Sequence, residues 1–154
     1  MSAAESQLTT QPEATSEAVE ILLVEDNPND VEMTLHALKR SGLTNRIRVV
    51  RDGAEALEFL FANGAELPKV VMLDLKLPRV NGIEVLRAVR GDPRTRTVPI
   101  VVLTSSREER DITQTYGLGA NSYIVKPVDY EQFTEAIRQL GVYWVLLNER
   151  APAS

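Results

Sequence analysis

Unbroken apolar runs that stop on a charged group constrain this chain more tightly than any other feature. Val70-Val71-Met72-Leu73 ends on Asp74, Ile21-Leu22-Leu23-Val24 ends on Glu25 and Asp26, and Tyr123-Ile124-Val125 ends on Lys126. A strand that is apolar at successive positions, not alternate ones, must be buried on both faces. That is the situation of a parallel sheet with helices packed on each side. Ligands of such sheets bind outside the carboxyl ends of the strands, so each run delivers a reactive group to one rim. Asp74 is the candidate reaction centre.

Helix signals fill the gaps between the runs. Asn27-Pro28 supplies an N-cap and a proline at the first helical position, with Asp30 favourable in the first turn, and the helix should run to about Arg40 with Gly42 as its stop. Arg46 to Val50 reads as a short strand, after which Asp52-Gly53 opens a helix through about Ala62, ended by Asn63-Gly64. Beyond Asp74, Leu77-Pro78 breaks the chain and Gly82 permits a tight turn into a helix to about Arg90. Ile100 to Thr104 is a fourth buried strand. Ser106 and Glu109 have the spacing of a capping box for a helix ending near Gly117, whose clearest apolar anchors are Ile112 and Tyr116. With so few anchors it should be the least firmly held of the helices. Asp129 can cap a last helix after the strand Tyr123 to Val125. Strict alternation predicts an α/β, doubly wound five-stranded parallel sheet with right-handed crossovers. Glu25, Asp26, Asp74, Thr104 and Lys126 then converge on one rim.

A chain of 154 residues, 44% hydrophobic and 25% charged, is long enough for one well-buried core and too short to expect two. Residues 1–18, rich in Ser, Thr, Gln, Glu and Ala, lack the basic start and apolar segment of a signal peptide and are expected to be a disordered arm. Residues 19–149 should form the domain, and 150–154 a short tail. A net charge of -5 offers no global field for nucleic acid. No apolar run approaches the roughly 20 residues of a membrane span. The absence of cysteine agrees with a reducing compartment, and the cytoplasm is the expected location. His36, the single histidine, has no zinc-type partners around it and reads as a surface side chain. Arg87, Arg90, Arg94 and Arg96 read as a solvated basic stretch on the loop opposite Asp74.

Three carboxylates drawn together repel one another and need protons or a cation to coexist. An oxygen-rich, histidine-free donor set suits a hard ion, and Mg²⁺ is the inferred cofactor. A carboxylate can attack phosphorus to give an aspartyl phosphate while a metal and a lysine neutralise the transferred charge. Asp74 and Lys126 fit those roles, and Thr104 can donate a hydrogen bond to a phosphate oxygen.

These motifs resemble the bacterial response-regulator receiver domain: Ile21 to Asp26 with Asn27, Asp74 followed by Leu77-Pro78 and Gly82, Thr104-Ser105, and Lys126-Pro127. The resemblance covers about residues 19 to 148 and implies a flavodoxin-like sheet of order 2-1-3-4-5. It implies phosphoryl transfer from a histidine kinase to Asp74, with Asp26 binding Mg²⁺ directly, Glu25 largely through water and the Lys76 backbone carbonyl as a further ligand. Thr104 and Tyr123 would form a switch pair, and the Lys126–Pro127 bond would be cis. VEDNPND, Val24 to Asp30, and YWVLLNE, Tyr143 to Glu149, are similar to stand-alone regulators paired with cyanobacterial and bacterial phytochromes, which implies a red-light kinase as donor. Two rivals stand beside this reading. A phosphatase of the haloacid dehalogenase type would need a second Asp two positions on, where this chain has Lys76. A phosphorylation-independent dimeric adaptor would leave the site vestigial.

At about 100° per residue, Phe133, Ala136, Ile137, Leu140, Trp144 and Leu147 share the core face of the last helix. Val142, Val145 and Leu146, with Tyr143 at the margin, fall on the other side. Such an apolar excess marks a partner surface, and a symmetric homodimer through this helix is the expectation.

Overall fold

The computed structural model describes residues 19–43, 46–62, 64, 66–126, 129–149 and 151. The expected N-terminal arm, most of the tail and the isomer of the Lys126–Pro127 bond lie outside the described residues. The order is β1 (Ile21–Val24), α1 (Pro28–Arg40), β2 (Ile47–Val50), α2 (Gly53–Leu60), β3 (Val70–Leu73), α3 (Gly82–Arg90), β4 (Ile100–Thr104), α4 (Glu109–Gly117), β5 (Ser122–Val125) and α5 (Tyr130–Gly141), the last continuing into a π-helical turn, Val142–Leu147.

All strand pairs are parallel, in the order β2-β1-β3-β4-β5. Every residue of β1, β3 and β4 is buried, as their unbroken apolar runs require. Leu22, Val24, Val71, Leu73, Ile100 and Val102 pack against α2 and α3 on one face, while Ile21, Leu23, Val70, Met72, Val101 and Leu103 pack against α1 and α5 on the other. Polar caps position the helices that follow the strands. Asn27 Oδ1 accepts from the backbone N–H groups of Asn29 and Asp30, Asp52 caps α2, and Asn81 forms a reciprocal capping box with Glu84. Gly42 closes α1 with φ +76°, a conformation only glycine adopts readily.

Two local expectations fail for identifiable reasons. α4 begins at Glu109 without a side-chain cap. Ser106 Oγ accepts from the Glu108 N–H at 3.3 Å and donates to Asp111 at 2.6 Å, fastening the loop and not the expected Ser106–Glu109 box. Thr115 is the buried residue of α4, Ile112 is half-buried and Tyr116 is exposed, so of the two expected anchors only Ile112 turns inward and Thr115 takes the other's part.

The second failure lies at the end of α5. The Asn148 N–H bonds the Tyr143 carbonyl, five residues back, at 2.7 Å, and this wider winding shifts the phase that an α-helix would keep. Val145, expected on the outer face, is 5% exposed and packs into the α1–α5 core, with its carbonyl accepting from Lys69 Nζ at 3.1 Å. Leu147, expected inside, is 68% exposed. Val145 is therefore removed from the candidate dimer surface. Tyr143 and Leu146 remain outward, and Val142 is half-buried.

Candidate functional site

Ladder hydrogen bonds run one residue past three strands and set the rim. The Glu25 N–H donates to the Val50 carbonyl at 3.0 Å, the Asp74 N–H to the Val24 carbonyl at 3.0 Å, and the Lys126 N–H to the Thr104 carbonyl at 2.7 Å. With their backbones held by the sheet, Glu25 and Asp74 are buried at the strand ends and Asp26 is exposed beside them. Carboxylate oxygens of these three residues lie within 4.8 Å of one another.

Gly82 explains how the chain passes so close behind Asp74. A Cβ there would collide with the Asp74 carbonyl oxygen and lie 2.6 Å from Leu75 Cα. The Gly82 N–H donates to the Leu75 carbonyl at 2.9 Å, closing the turn.

Lys126 reaches across the rim. Its Nζ lies 2.6 Å from Glu25 Oε1, 2.8 Å from Asp30 Oδ2 and 3.4 Å from Asp74 Oδ2. Burial alone would lower the lysine pKa, but the bonds to Asp30 and Glu25 outweigh it and hold the ammonium up at about 12. Burial pushes the Glu25 carboxyl up to about 7, reinforced by the Asp74 charge and opposed by Lys126. One lysine is too little positive charge for this group of acids. An all-oxygen donor set short of positive charge fits a hard divalent cation.

Thr104 is fully buried at the end of β4, its Oγ1 accepting from the Ser106 N–H at 3.4 Å. Tyr123 pairs in register with Val102, which puts it on the same sheet face as Thr104, two positions along. Its hydroxyl donates to the Ser106 carbonyl at 3.0 Å, and burial raises its pKa. Lys76 follows Asp74 at an exposed position, its N–H 3.5 Å from Asp74 Oδ1. The rim thus collects Glu25, Asp26, Asp74, Thr104, Lys126 and, two positions back along β5, Tyr123.

Sequence reasoning missed two roles. Asp30 was read only as a first-turn acid, although its place one turn into α1 brings it over the rim to Lys126. Arg90 was read as solvated, but it donates to the carbonyls of Arg96, Val98 and Gly119 and to Asn121 Oδ1, tying α3 to the ends of β4 and β5. His36 packs edge-on against Tyr130 with ring centroids 6.1 Å apart, a packing role that needs no metal.

The sequence from residue 21 to 138 matches the model of the response regulator receiver domain. The chain belongs to that family. This receiver is therefore a two-component response regulator, a signalling protein. It is 40% identical over 135 residues to the probable methanogenesis regulatory protein FilR2 of Methanothrix harundinacea (strain 6Ac), covering 86% of each chain. Among solved structures it resembles the phosphorylated cyanobacterial phytochrome response regulator RcpA, with TM-score 0.80 and 33% identity over 88% of this chain and 100% of that one. The bacteriophytochrome response regulator AtBRR is 52% identical, with TM-score 0.67 over 86% of the receiver and 99% of its own chain. No helix among the described residues is long and apolar enough to cross a membrane.

Proposed function

We propose that Asp74 accepts a phosphoryl group from the phosphohistidine of a sensor kinase. The observation that carries this is a nearly buried strand-end carboxylate set among two further acids and a lysine ammonium 3.4 Å away. An Asp74 carboxylate oxygen attacks phosphorus, the P–N bond of the phosphohistidine breaks, and its electron pair stays on the imidazole nitrogen, which takes a proton. The product is an acyl phosphate. Lys126 neutralises charge on the transferred group, and Thr104 can donate to one of its oxygens. Glu25, Asp26, Asp74 and the Lys76 carbonyl would hold Mg²⁺, which supplies charge neutralisation at phosphorus and allows autophosphorylation from small donors. Phosphorylation adds close to two negative charges and biases a two-state equilibrium in which Thr104 turns inward and Tyr123 leaves the Ser106 carbonyl. The loop held by Ser106 and the thinly anchored α4 are the moving parts.

Stoichiometric labelling by acetyl phosphate in magnesium should be lost in Asp74→Asn; persistent labelling of that variant would refute the assignment. The likeness to the cyanobacterial phytochrome response regulator RcpA and the bacteriophytochrome response regulator AtBRR supports a phytochrome-type kinase, such as a bacteriophytochrome, as the donor. Phosphotransfer profiling against the histidine kinases of the same organism tests it, and a preference for a kinase without a phytochrome sensor defeats it. A haloacid dehalogenase activity is disfavoured because Lys76 stands where the second Asp would be needed.

The exposed strip of Tyr143, Leu146 and Leu147 supports a symmetric homodimer through the end of α5, with half-buried Val142 at its edge. Sedimentation should show a dimer at micromolar concentration and a monomer for Leu146→Glu. A monomeric wild-type protein would rule this surface out.

A further inference from the structure

Lys126 is bound more tightly to its neighbours than to the group it is proposed to serve. Its ammonium has three N–H donors and faces three carboxylates. The bonds to Glu25 and Asp30, at 2.6 and 2.8 Å, have the length of good charge-assisted hydrogen bonds, whereas Asp74 at 3.4 Å lies beyond that range. The lysine is therefore drawn toward Glu25 and α1, away from Asp74. A phosphoryl group on Asp74 brings further anionic acceptors to the same three N–H donors and so competes with Glu25 and Asp30 for the ammonium.

The two short bonds are not equivalent. The Glu25 side chain is 2% exposed, so water cannot readily take the lysine's place there. The Asp30 side chain is 24% exposed, so water can replace the lysine there at small cost. Asp30 also places a further negative charge beside the site where a nearly dianionic group arrives. Both effects have the same sign.

Resting on the phosphoacceptor reading of Asp74, we infer that Asp30 is a positioning residue that holds Lys126 in its resting place and competes with the phosphoryl group for it. Asp30 thereby weakens the phosphorylated form relative to the resting one. The bond Lys126 surrenders on phosphorylation is the one to Asp30, while the bond to Glu25 persists.

The test is a beryllofluoride titration of the full chain at saturating magnesium, the anion standing in for the phosphoryl group. Asp30→Asn should bind it about two- to five-fold more tightly than wild type, the range of a partly exposed ion pair, and Asp30→Glu should stay near wild type. Asp30→Ser provides a second uncharged variant should the first fold poorly. A side-chain ammonium NMR signal adds a readout that a purely structural role would not move. The Lys126 resonance of the wild type should shift on adding beryllofluoride, and that of free Asp30→Asn should already lie toward the bound position. Unchanged or weaker binding by both uncharged variants overturns the inference while leaving Asp74 as acceptor. Failure of the wild type itself to bind would remove the acceptor reading and this inference together.

Discussion

Replacing Glu25 by Gln should stabilise the metal-free protein above neutrality and reverse in sign in mild acid. Burial raises the Glu25 carboxyl from 4.5 to about 7, so the folded state holds that proton more tightly than the unfolded chain does. The cost of ionising it is absent below about pH 4.5, grows as pH rises through the interval and is complete above about pH 7. At roughly 1.4 kcal/mol per pKa unit, a rise of about 2.5 units corresponds to about 3 kcal/mol of penalty at about pH 8. Glutamine removes the charge but turns an amide N–H₂ toward the Asn27 N–H, which now donates to Glu25 Oε2 at 3.2 Å. An unmatched donor there costs about 1 kcal/mol or somewhat more. The net gain is therefore about 1–2 kcal/mol at about pH 8, or a rise in Tm of about 4–8 °C for a domain of this size. At about pH 5 the gain vanishes and the wild type is the more stable by about 1 kcal/mol. Lys126, raised to about 12, contributes stability that is lost only as pH climbs above 10.5 toward 12, outside this interval. Urea denaturation in a chelator across pH measures both limbs. A variant less stable than wild type at the alkaline end, or a wild type whose stability does not fall between the two pH values, would refute the reasoning. Magnesium should erase the variant's advantage by neutralising the wild-type site.

Two substitutions away from the ionisable groups follow from packing. Gly82→Ala should cost about 2–3 kcal/mol by urea denaturation, because its methyl meets backbone atoms of Asp74 and Leu75, which cannot turn aside as a side chain would; wild-type stability would contradict the close approach. Thr34→Val should add about 1 kcal/mol, since Thr34 Oγ1 is buried in α1 without a hydrogen-bond partner among the described residues and the β-branched shape is retained; a measured loss would mean that the hydroxyl has a partner.

Much of the site was legible because it follows from short-range rules. A run such as Val70 to Leu73 can be satisfied only by burial on both faces, and the residue after it must then stand at the rim. That argument placed Asp74 and Glu25; Lys126 follows β5, an edge strand whose residues are only half-buried, and Asn27-Pro28 and Asp52-Gly53 marked where two of the helices begin. Asp30 and Arg90 escaped it. Each looks like an ordinary helix-end charge in its own segment, and its partners lie 96 residues away for Asp30 and 29 and 31 residues away for the Gly119 and Asn121 contacts of Arg90. The periodicity argument for the last helix failed for a different reason. It assumed constant winding, and the i→i+5 bond at Tyr143 and Asn148 exchanged the positions of Val145 and Leu147.

By itself, the sequence determined the strand order of burial, the rim on which the reactive groups meet and the family to which the chain belongs. Those features depend on composition, spacing and caps within a few residues. Only the tertiary structure decided which carboxylates share Lys126, how far that lysine stands from Asp74 and which apolar residues at the end of α5 face outward. These depend on through-space distances between separate elements, and a difference of less than 1 Å there separates a strong charge-assisted bond from a weak one.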